Sequence, residues 1–136
     1  MRGDYEIDNQ DAPIIYIVSD SLGETAEFVG RAAASQFEGE HLEICKIPFV
    51  SQKFHLEEIV EEASERSSVI AFTLVRPELR DYLLQIACEK NVRTVDVLGP
   101  MMDAISNLTG KQPLGEPGLL RKMDDHYFSK VEAIEF

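Results

Sequence analysis

Two runs of apolar, largely β-branched residues, Ile14-Ile15-Tyr16-Ile17-Val18 and Val69-Ile70-Ala71-Phe72-Thr73-Leu74-Val75, constrain this chain more than any other feature. Neither alternates with polar residues, so each suits a strand covered on both faces, as in a parallel sheet. Ser19 to Gly23 breaks the first run. Glu24 to Phe37 then carries Ala26, Val29, Ala33 and Phe37 at helical spacing, with Glu24 and Glu27 near the start, where the helix dipole favours negative charge. Leu42 to Val50 reads as another strand. Leu56, Ile59, Val60 and Ala63 follow as the buried stripe of a second helix, whose Glu-rich opposite face reads as solvated.

The second apolar run leads into Arg76-Pro77, with Pro suited to a first helical turn, and then into the stripe Leu79, Leu83, Ile86 and Ala87. Arg93 to Leu98 is the fourth predicted strand. Gly99-Pro100 turns the chain, and Met101 to Leu108 forms a short helix ending near Gly110. The succession βαβαβαβα predicts an α/β fold, a three-layer sandwich around a parallel sheet with right-handed crossovers. The strand holding Glu43, Lys46 and Pro48 belongs at an edge, because a central strand tolerates proline poorly. A flavodoxin-like order 2-1-3-4 satisfies this and puts the topological switch point between strands one and three. Residues 1–12 are expected to be a flexible N-terminus, 13–110 the α/β domain, and 111–136 a Pro- and Gly-rich connector with a terminal segment.

The candidate site is the crevice beyond the first and third strands. Ser19-Asp20-Ser21-Leu22-Gly23-Glu24-Thr25 places hydroxyls and a glycine before a helix. Two readings share its donors: phosphate or carboxylate binding at the helix N-terminus, or a plain helix cap. The anion reading takes Ser19, Asp20, Ser21, Gly23, Glu24 and Thr25 as binding residues, with Arg76 facing the crevice to neutralise the charge. Arg76 could instead pair with Glu78 or Asp81. Asp96 and Gly99 are candidate lining residues on the far side, Asp96 alternatively being a solvated edge residue. A flavodoxin-like FMN site is the runner-up, although no second loop offers aromatics to sandwich a flavin.

Composition narrows the partners. A formal charge of −12 disfavours nucleic acid and anionic membrane surfaces, and no stretch approaches the roughly 18 apolar residues of a membrane span. Cys45 and Cys88 each sit in apolar surroundings and read as small core residues of a reduced, cytoplasmic protein. His41, His55 and His126 lack metal or triad spacing, so no metal is expected. Gly110-Lys111-Gln112 fails as a P-loop, which would need Gly at 105 and Ser or Thr at 112, where Ile105 and Gln112 stand.

The segments Ile15 to Glu27, Thr73 to Arg80, Asp96 to Pro100 and Glu116-Pro117-Gly118, with Asp124, Tyr127-Phe128 and Glu132 to Phe136, together resemble the bacterial pyruvate, phosphate dikinase and phosphoenolpyruvate synthase regulatory proteins. The resemblance runs from about Ile14 to the last residue. It implies a bifunctional regulator, an ADP-dependent threonine kinase and a phosphate-dependent, pyrophosphate-forming phosphorylase, acting on the dikinase or the synthase. ADP or ATP and inorganic phosphate are the implied small molecules. Family members are about twice as long and carry their nucleotide-binding P-loop in the C-terminal half. The abrupt apolar ending Ile134-Glu135-Phe136 therefore reads as a cut end. The catalytic residues cannot be assigned to this chain, which is expected to be inactive alone and to serve as an anion-binding, target-docking or homodimerising module.

Overall fold

A computed structural model describes residues 12–122. The expectations placed on residues 1–11 and 123–136, including the flexible start, His126 and the apolar Ile134 and Phe136, lie outside the described residues. Four parallel strands, β1 (Ile14–Ser19), β2 (Glu43–Ile47), β3 (Ser68–Thr73) and β4 (Arg93–Asp96), form one sheet in the order β2-β1-β3-β4. Helices α1 (Glu24–Ala34), α2 (Lys53–Ser64), α3 (Pro77–Glu89) and α4 (Gly99–Thr109) follow the successive strands, and α5 (Leu119–Lys122) is a single turn. The α/β sandwich and its strand order match the sequence expectation.

The two sheet faces differ. The alternation of β1 and β3 sends Ile14, Tyr16, Val18, Ile70 and Phe72 to one face, where α2 and α3 supply Leu56, Ile59, Val60, Ala63, Leu79, Leu83 and Ala87. This is the main core, and the predicted stripes of both helices are the residues that build it. Tyr16 is buried there but stays paired, its hydroxyl donating to Glu62 Oε2 at 2.8 Å. Burial and this bond push the phenol up to about 12. On the other face Ile17 and Ala71 meet α1 through Ala26 in a much smaller cluster.

Several local expectations need correction. The buried residues of α1 are Ala26 and Gly30, whereas Val29, Ala33 and Phe37 are exposed and Phe37 lies beyond the helix end. Gly30 packs toward Ile17, whose Cδ1 would stand 3.4 Å from a methyl at that position, an ordinary contact distance. Pro48 lies just past the end of the edge strand β2. Pro100 does not turn the chain but occupies the first turn of α4. Cys88 is exposed and Cys45 half-buried, and burial pushes the Cys45 thiol up.

Asp96 is not a solvated edge residue. Its Oδ2 accepts from Arg80 Nε at 2.9 Å and lies 2.8 Å from Arg80 Nη2, while Oδ1 accepts the Gly99 N–H at 2.7 Å. This carboxylate joins α3 to the first amide of α4, one of the donors a helix leaves without an internal partner.

Candidate functional site

Beyond the carboxyl ends of β1 and β3 lies an open cavity of about 270 Å³. Its near wall is the β1–α1 loop, with Ser19, Asp20, Ser21, Leu22, Gly23, Glu24 and Thr25 all lining it. Specific bonds hold Ser19, Asp20 and Ser21 of this loop. Ser19 Oγ accepts the Ser21 N–H at 3.0 Å and donates across to the Thr73 carbonyl at 3.4 Å. The Ser19 and Ser21 carbonyls accept the Val50 and Phe49 amides, both at 2.9 Å, which anchors the loop to the chain leaving β2.

Asp20 faces inward. Its Oδ2 accepts the Val75 and Arg76 amides at 2.9 and 3.0 Å and so clamps the β3–α3 turn to the β1 loop. Asp20 therefore organises the crevice, and one of its oxygens is committed to backbone donors.

Gly23 is the N-cap of α1 and adopts φ 84°, a left-handed conformation that glycine takes without strain. A β-carbon there would also stand 3.4 Å from Lys46 Cγ. Having no side chain, Gly23 makes no cap bond. The first intrahelical bond runs from Glu27 N to the Gly23 carbonyl at 3.0 Å, so the amides of Thr25 and Ala26 have no acceptor among the described residues. Glu27, one turn in, is already paired with Lys46 at 3.0 Å and with Arg31, and these cations hold its carboxyl below the usual range.

The floor is Thr73, which spacing had not singled out. It is 6% exposed, lies on the same sheet face as Ala71, and is the register partner of Ser19. Its hydroxyl makes no hydrogen bond among the described residues. The far wall combines Val75, Leu98 and Met102 with residues 113–120, read from sequence as connector, which fold across the opening as Pro113, Leu114 and their neighbours. Gly118 closes against Ser21, a β-carbon there standing 3.6 Å from Ser21 Oγ.

Three expected residues fall outside the described lining. Arg76 is exposed and contributes its backbone N–H to Asp20, with no ion pair to Glu78 or Asp81 among the described residues. Asp96 and Gly99 are joined to each other below α4. The described lining holds Asp20, Glu24 and Glu116 but no Lys, Arg or His, and no aromatic ring on which a flavin could stack. No group of metal-binding side chains is found among the described residues, and no helix among them is long and apolar enough to cross a membrane.

Residues 15–136 match the family described as kinase/pyrophosphorylase. A protein of Halalkalibacterium halodurans, provisionally named a pyruvate, phosphate dikinase regulatory protein, is 52% identical over 124 residues, covering 91% of this chain and 46% of that protein. Proteins of the same provisional name from Shouchella clausii, 52% identical over 90% of this chain and 45% of the relative, and Carboxydothermus hydrogenoformans, 47% identical over 91% and 45%, repeat the pattern. The chain thus spans about half the length of the curated relatives it matches.

Proposed function

Because the chain belongs to the kinase/pyrophosphorylase family, we propose that it forms the N-terminal α/β part of a regulator of pyruvate, phosphate dikinase or phosphoenolpyruvate synthase, and that its own contribution is a phosphate-binding crevice. The whole regulator would transfer phosphate from ADP to a threonine of the target enzyme and remove it again with inorganic phosphate, releasing pyrophosphate. Both are phosphoryl transfers, in which positioning and charge stabilisation do most of the catalytic work.

The observation that carries this reading is the uncapped start of α1. Gly23 leaves the Thr25 and Ala26 amides without an acceptor among the described residues, and Thr25 lines the cavity, where amides and helix dipole together favour an anion. The carboxylates in the lining restrict which anion is accepted. Glu24 and Glu116 are exposed at the rim, where solvent and salt weaken their repulsion of one phosphate group.

Titration of the 136-residue chain with inorganic phosphate and with ADP, followed by backbone amide shifts, tests the proposal. Movement of the Gly23 to Ala26 amides at millimolar phosphate is the expected result. Unmoved amides at saturating phosphate would remove the crevice from consideration.

A further inference from the structure

The two faces of the sheet are unequally covered. Helices α2 and α3 both pack on one face, whereas on the other α1 alone supplies a helix residue to the apolar cluster. A parallel sheet built from crossovers needs both faces covered, and on the α1 face the cover stops short. Ala71 of β3 is buried, but Val95, its register partner on β4 and so on the same face, is 47% exposed. The neighbouring flank of α1 is bare as well. Glu27 turns toward β2 through its pair with Lys46. Val29 lies on the other side of the buried line through Ala26 and Gly30, toward β3 and β4, and is 44% exposed. Ala33, one turn on, is exposed too. Val29 and Ala33 are two of the residues whose spacing predicts a buried stripe.

The strip of sheet between Val29 and Val95 is where a second helix of this layer belongs. Strands lie about 4.8 Å apart and packed helices about 8 to 10 Å apart, so a helix beside α1 falls two strands from β1, over β4. We infer that the occupant is the chain's own residues 123–136, docking as an amphipathic helix alongside α1.

The place where the described chain ends selects this occupant. Leu119 and Leu120 of α5 line the crevice together with Gly23 and Thr25, so at Lys122 the chain stands at the end of the sheet where α1 begins. A segment leaving from there can run back along the sheet parallel to α1. Length agrees, since a helix of residues 123–136 spans about 21 Å at about 1.5 Å per residue, against about 20 Å for the six residues of β3. The residue pattern agrees too. Tyr127, Val131 and Ile134 recur at the i, i+4, i+7 spacing of one helical face, and Asp124 and Asp125 precede them, where the dipole of such a helix favours negative charge.

Two measurements on the 136-residue chain test the docking. In the wild type, methyl nuclear Overhauser contacts are expected between Val95 and Val131 or Ile134. In a Cys45→Ser, Cys88→Ser background, the thiol of Val95→Cys should react with a maleimide about tenfold more slowly than that of Phe28→Cys, which is 76% exposed on the outer side of α1. Adding Val131→Asp and Ile134→Asp should remove that protection, with amide spectra confirming the fold. Absent methyl contacts together with equal labelling of the two thiols overturn the inference, as does protection that survives both aspartates. Protection that grows with protein concentration, alongside a doubled mass in light scattering, assigns the strip to a second copy of the chain and also overturns it.

Discussion

Gly99→Ala sets helix propensity and local packing against each other. Gly99 is the first residue of α4, and alanine is the better helix former by up to about 1 kcal/mol in a helix interior, less at a terminus. Propensity alone makes the substitution neutral or stabilising. The structure predicts the opposite, because a β-carbon at residue 99 would lie 2.1 Å from Asp96 Oδ2, 2.6 Å from Asp96 Cγ and 2.8 Å from Arg80 Nη2. Asp96 is short and cannot swing its far end aside while keeping its bonds. To make room it must release the Gly99 amide, held at 2.7 Å, and disturb the Arg80 pair.

The amide bond to a charged acceptor is worth about 1.5 to 3 kcal/mol, and the partly exposed ion pair about 0.2 to 1 kcal/mol. After the propensity gain, Gly99→Ala should cost about 1 to 3 kcal/mol. For a chain of this size that lowers Tm by about 4 to 12 °C, measurable by circular dichroism or calorimetry. The cause is isolated in a Asp96→Ala background, where the obstructing carboxylate is gone and Gly99→Ala should become neutral or stabilising. Equal stability of Gly99→Ala and wild type, or the same loss in both backgrounds, would refute the reasoning.

Three further outcomes follow from the bonds described. Asp20→Ala removes the acceptor of two amides that tie the β3–α3 turn to the β1 loop and should lower stability by about 2 to 4 kcal/mol in urea unfolding, with Asp20→Asn recovering part through its remaining carbonyl oxygen. Tyr16 keeps its proton more tightly folded than unfolded, so its contribution is complete below pH about 10 and is lost as pH rises toward 12. Unfolding midpoints of wild type should therefore fall across that window, and those of Tyr16→Phe should fall less. In the crevice, Gly23→Ala should cost about 1 to 2 kcal/mol, because alanine is strained at φ 84°, and should weaken phosphate binding through displacement of the α1 amides.

What the sequence revealed depended on whether a residue's task was local. Unbroken β-branched runs announce buried parallel strands wherever they occur, and the polar Glu43 and Lys46 marked β2 as an edge strand although Pro48 lies just past its end, so topology was legible before any coordinates. The stripe of α1 was misread because a hydropathy pattern passes over glycine, and Gly30 is one of the two buried residues of the helix. Asp96 looked like a solvated edge residue because its partner, Arg80, lies 16 positions earlier, beyond any helical spacing rule. Arg76 looked like an anion ligand because a cation at a strand end invites that role. What the fold uses from it is the backbone N–H, a group every residue but proline possesses and no sequence pattern distinguishes.

Thr73 shows where a stronger signal was available. Within its apolar run it is the lone hydroxyl, and alone it reads as an ordinary strand threonine, since β-branching suits the pleat. Once the order 2-1-3-4 is inferred, however, strands one and three are neighbours and their carboxyl ends coincide, which sets Ser19 beside Thr73 across 54 residues of chain. Two hydroxyls at matched register where a parallel sheet changes direction stand at the place where such sheets bind ligands. Strand order and the polar residue ending each run thus point past the conspicuous charges, Arg76 and Asp96, to small polar groups at the carboxyl ends of the two central strands.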